Sequence, residues 1–126
     1  RYRTNTKRGI LGESLSGLFV MESFFLQPDL FDYYIAFDPS LWWNNHKMVD
    51  QAAQYLSNFP AHNKTLWFAG SDAKTIYPYT RQLSETLKKH ALPHLKWKYV
   101  DLPNEQHITI FRAAKEQALI WALNNH

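Results

Sequence analysis

Four short apolar runs alternate along this chain with four segments of helical spacing. Residues 8–11 read as a first strand that ends at Gly12. Residues 15–26 follow, with Leu15, Leu18, Phe19, Met21, Phe24, Phe25 and Leu26 nearly encircling a helix, which predicts burial on most sides; Pro28 ends it. The run "YYIAF" (33–37) is apolar throughout, as a strand covered on both faces is. After Pro39 and a loop "SLWWNN", residues 47–58 put Val49, Ala52, Ala53 and Leu56 on one helical face. "TLWFAG" (65–70) is a third strand closed by a glycine. Residues 78–90 form a helix with Pro at its start and Tyr79, Leu83 and Leu87 in register. Residues 95–102 alternate, which predicts a half-exposed edge strand, and residues 110–123 carry Phe111, Ala114, Ala118, Trp121 and Ala122 at helical spacing.

Four strand–helix pairs with short loops predict an α/β fold. The expected form is a doubly wound, three-layer sandwich of about four parallel strands with helices on both faces, in one segment spanning residues 1–126. Chemistry in such sheets gathers beyond the carboxyl ends of the strands. That selects the loops after Leu11, Phe37, Ala69 and Leu102.

Composition narrows the function classes. A chain of 126 residues holds one core and not two, and 45% hydrophobic residues exclude a disordered protein. Aromatics at 16% leave rings for a pocket as well as for the core. Without cysteine there is no disulfide framework and no thiolate zinc site, which suits a reducing or an oxidising compartment equally. The formal charge of +3 is mild. Its basic clusters (Arg1, Arg3, Lys7 and Arg8; Lys88 and Lys89; Lys96 and Lys98) fall near element ends and on alternating strand positions, where lysines are solvated, and no nucleic-acid motif accompanies them. No apolar run approaches the roughly 18 residues of a membrane span, and no signal peptide is visible. A soluble protein of unspecified compartment is expected. The opening "RYRTNTKRG" has no initiator Met and predicts a piece of a longer protein.

The candidate chemistry begins in "RGILGESLSGLFV" (8–20). A serine hydroxyl is a poor nucleophile until a base removes its proton. A sharp strand-to-helix elbow would lift the Ser14 hydroxyl clear of the sheet at the positive end of the following helix. Small residues two before and two after it, Gly12 and Ser16, would let the chain turn tightly. The Leu15 N–H would then donate to an oxyanion. The alternative is a serine that caps the helix. After the third strand, Asp72 could orient a histidine or serve as a turn residue, with Asp38, Asp101 and Glu105 as competing acids. After the fourth strand, His107 is placed to act as general base and then general acid. His46, His62, His90, His94 and His126 are less well placed. His90 and His94 have the spacing of a metal pair, but Pro93 breaks the helix that would align them, so neither a metal nor a cofactor is expected. The order Ser14…Asp72…His107 is the one expected of an α/β-hydrolase.

Together "GESLSGLFV", "FDYYIAFDPSLWW" and "LPNEQH" resemble the esterase branch of the α/β-hydrolases that includes esterase-D-like enzymes and siderophore trilactone esterases. The resemblance covers nearly the whole chain. It implies a nucleophile at Ser14, a base at His107, an oxyanion donor at Leu15, and substrate contacts from Trp42, Trp43 and Glu13; core packing is the alternative for each tryptophan. Glu13 stands where the family has His, Ser16 where it has Gly, and Asp38 where it has Ser before Pro-Ser. The family's acid is irregular, and some relatives resemble a Ser–His dyad. The implied function is hydrolysis of a small carboxylic ester, such as a siderophore-type trilactone, through an acyl-enzyme on Ser14. A hydrolase-like binding module with a dead site, or an acyltransferase, is the alternative. The resemblance also implies about eight strands with the elbow after the fifth, so this segment matches a C-terminal half. The missing N-terminal half, which carries the second oxyanion donor, is the expected partner, and the segment alone should be inactive and aggregation-prone.

Overall fold

The computed structural model describes residues 7–90 and 92–125; Arg1, Arg3 and His126 lie outside them. Strand β1 (Gly9–Glu13) leads into helix α1 (Leu15–Leu26), and a 3-10 turn (Pro28–Leu30) leads to β2 (Tyr33–Phe37). Two short helices, α2 (Trp43–Asp50) and α3 (Ala52–Ser57), precede β3 (Lys64–Gly70). Then come α4 (Tyr77–His90), β4 (Leu95–Asp101) and α5 (Ile110–Asn125).

Every strand pairs in parallel with the next in sequence, giving the order β1-β2-β3-β4. Crossovers between parallel strands are right-handed, so connections that all step one way place their helices on one face. Helices α1, α3 and α4 accordingly share one core with Tyr34, Ala36, Leu66 and Phe68. Among the described residues only α5, which follows β4, reaches the other face, against Ile35, Phe37, Trp67 and Ala69. Helices on both faces agree with the expectation, whereas the strand order shows no reversal among the described residues. The approach of α5 is close because Ala114, Ala118 and Ala122, four residues apart, are fully buried along its inner line. On the first face Phe24 packs against Phe25, Tyr34 and Phe59 with ring centroids 4.9 to 5.3 Å apart. Burying a ring of that kind contributes about 1.5–3 kcal/mol.

Three details depart from the periodicity. The predicted helix over 47–58 is broken and starts early, because Asn44, Asn45 and His46 form a left-handed turn (φ 55°, 56° and 48°) just after Trp43. Asn tolerates that region through its short polar side chain, a preference that apolar spacing cannot report. Helix α1 is not buried on most sides: Leu15 and Phe19 are 60% and 59% exposed. The same flank continues at β1, where Leu11 is exposed and where, among the described residues, no strand pairs with the outer edge. The opposite edge strand, β4, is half exposed as expected, with Leu95 buried, Trp97 and Tyr99 half-buried, and Lys96 and Lys98 exposed between them.

Candidate active site

Ser14 immediately follows β1 and occupies the N-cap position of α1, but its hydroxyl makes no capping bond. Its backbone lies at φ 59°, ψ −121°, a region that costs a non-glycine residue on the order of 1–3 kcal/mol and persists only when neighbours over-determine it. Here they do. The Ser14 N–H donates to the Phe37 carbonyl at 3.0 Å, while its own carbonyl accepts from the N–H groups of Leu18 (3.0 Å) and Ser40 (3.1 Å). The elbow is therefore pinned both to its own helix and to the loop after β2.

Two glycines permit this turn. A Cβ on Gly12 would meet the Ser16 carbonyl oxygen at 2.6 Å, and one on Gly17 would meet the Pro39 Cα at 3.1 Å. Ser16 itself is exposed, so its departure from glycine is not crowded. Gly12→Ala is expected to lower the urea midpoint by the equivalent of about 1–3 kcal/mol, because backbone rather than a flexible side chain must yield.

His107 lies in the loop between β4 and α5. Its Nε2 is 3.1 Å from Ser14 Oγ and its Nδ1 is 2.7 Å from Asp38 Oδ2, so both ring nitrogens are engaged. Asp38 is fully buried, whereas the His107 side chain is 41% exposed and open to a ligand. The acid beside the histidine is thus Asp38, at the end of β2, and not Asp72, which chain order favoured. Asp72 is exposed, and what it contributes is its main chain: its N–H donates to the Glu105 carbonyl at 2.9 Å, tying the His107 loop to the end of β3. Register explains the difference. Glu13 pairs with Phe37, so Ser14 and Asp38 leave the sheet side by side on adjacent strands, while Asp72 leaves from the strand beyond. Of the other competing acids, Asp101 is held by Arg81 (2.9 Å) and Tyr99 (3.1 Å). Tyr99 itself is pushed up to about 12, first by burial. Sequence reasoning passed over Ser71, whose N–H and hydroxyl both reach the Asp38 carboxylate at 2.6 Å.

Leu15 is the first residue of α1, so its N–H has no intrahelical acceptor and stands at the positive helix end beside Ser14. The two tryptophans part company. Trp42 lines a cleft of about 520 Å³ together with Ser14, His107 and Ile76, whereas Trp43 lines a separate groove between α1 and α2. On the other side of Ser14, Glu13 and Ile108 border a second open cleft with Ser16. Among the described residues no group of three or more His, Asp or Glu side chains forms a metal site, and no helix is long and apolar enough to cross a membrane.

No family model matches the chain. It is 28% identical to the ferri-bacillibactin esterase BesA of Bacillus subtilis over 98% of this chain and 45% of that protein. It is 37% identical to a siderophore enterobactin esterase of Emericella nidulans over 40% of this chain and 17% of that protein. An IroE-like serine hydrolase from Shewanella oneidensis superposes with a TM-score of 0.82 at 22% identity, over 93% of this chain and 40% of the other. The chain spans less than half the length of these proteins. Its homologues are siderophore esterases, and it has the fold of the α/β serine hydrolases.

Proposed function

We propose that this chain carries the nucleophile, base and acid of a serine esterase, with Ser14, His107 and Asp38 in those roles. The observation that carries the reading is the continuous line from Ser14 Oγ through both His107 nitrogens to a buried carboxylate, at 3.1 and 2.7 Å. His107 Nε2 takes the Ser14 proton as Oγ attacks the ester carbonyl carbon. Asp38 accepts the Nδ1–H bond and stabilises the imidazolium that forms. The oxyanion of the tetrahedral intermediate is met by the Leu15 N–H. When the C–O bond breaks, the alcohol leaves with the proton held on Nε2. Water then attacks the acyl-enzyme, again giving its proton to His107, and the carboxylic acid is released as Ser14 is regenerated.

The homologues' names and the cleft support one substrate class, a small carboxylic ester of which a siderophore trilactone is the type, with its apolar part against Trp42 and Ile76. Full activity requires further chain along the open edge of β1, where Leu11, Leu15 and Phe19 are exposed. Treating the full-length protein with a fluorophosphonate is expected to leave one adduct, mapped to the peptide containing Ser14. A folded sample that takes no adduct there would end the esterase reading.

A further inference from the structure

The Asp38 carboxylate lies wholly inside the protein, where an unsatisfied charge is costly and a misdirected one is useless to His107. One residue supplies most of its partners. The Ser71 N–H donates to Oδ1 and the Ser71 hydroxyl donates to Oδ2, both at 2.6 Å, leaving His107 Nδ1 as the remaining contact on Oδ2. The hydroxyl is itself oriented, because Ser71 Oγ accepts from the Ala73 N–H at 3.2 Å and its proton is thereby turned toward Asp38. Ser71 is 1% exposed and follows directly on the last residue of β3, a fully buried strand, so it has little freedom to move. A carboxylate gripped at both oxygens by one residue has its plane fixed. Without the hydroxyl it could rotate about its Cβ–Cγ bond and carry Oδ2 off the line to the imidazole.

We propose that Ser71 is a positioning residue, holding the Asp38 carboxylate in the plane that presents Oδ2 to His107. This rests on the serine-esterase reading, and the test separates the two. In the full-length protein, with p-nitrophenyl acetate as the probe ester, Ser71→Ala is expected to lower kcat about tenfold with KM within about twofold. Ser71→Cys, which keeps the side-chain shape at a slightly larger size but is a weak donor, should lose nearly as much, and it serves if the alanine variant does not fold. In an Asp38→Ala background either substitution should add nothing, since Ser71 acts only through that carboxylate. The same loss in that background, or wild-type kcat in both single variants, would overturn the proposal while leaving the esterase reading intact. A Ser14→Ala control as active as wild type would overturn both.

Discussion

Asp38→Asn is expected to reduce kcat toward an activated ester by about a thousandfold to ten-thousandfold, the scale seen when a triad acid becomes an amide. The reason is the direction of the protons. Asp38 accepts from the Ser71 N–H, the Ser71 hydroxyl and His107 Nδ1, and it has nothing to donate. An asparagine there must turn its NH₂ toward one of these donors. If it faces His107, the imidazole keeps its proton on Nε2 and cannot take one from Ser14. If it faces Ser71, two donors collide in a buried space. Asp72→Asn should leave kcat within about twofold, because only its backbone is engaged and its side chain is exposed, where substitutions are usually mild. Steady-state kinetics of the two variants, with thermal unfolding to confirm that each is folded, decide the matter. A larger loss in the Asp72 variant would remove Asp38 from the mechanism.

Ser14 gives the largest effect. Ser14→Ala is expected to lower kcat by about 10⁵-fold or more, since in the proposed mechanism the nucleophile, base and acid act as a unit and removal of the serine disables all three. Ser14→Gly is more informative. It removes the same oxygen but also releases the strain of a side chain at φ 59°, ψ −121°. The glycine variant should be equally inactive yet more stable than the alanine variant, by about 1 kcal/mol in urea unfolding. Equal stability of the two would mean that the backbone at the elbow bears no strain. The cost of holding a reactive residue in this conformation is a common form of the exchange between stability and activity.

Much of this arrangement is legible in the order of residues. The runs at 33–37 and 65–70 are apolar on both faces because a parallel sheet covered by helices hides both, and β2 and β3 lie where those runs place them. Ser14 and His107 were legible because each follows a strand and precedes a helix, which fixes where it leaves the sheet. The carboxylate that meets His107 was not, because chain order says which strand a residue follows but not how far its carboxylate sits from a ring contributed 69 residues later. A clue was present: Asp38 ends a wholly apolar strand and stands where the family has serine, and an acid in so buried a place needs partners. The left-handed turn at Asn44–His46 was hidden for another reason, since it depends on backbone preference and leaves no mark on hydrophobic spacing.

The strand order has a consequence for how the proposed site is assembled. Since each strand pairs with its sequence neighbour, the sheet can grow by successive short closures, each of modest entropic cost. Ser14 and His107 nevertheless stand 93 residues apart, on loops from the first and last strands. Their contact is among the most distant in the chain and forms only after the intervening register is set. Under the proposed mechanism, regained esterase turnover would therefore trail regained helicity during refolding, and it would report completion of the sheet more faithfully than any spectroscopic signal from a single element.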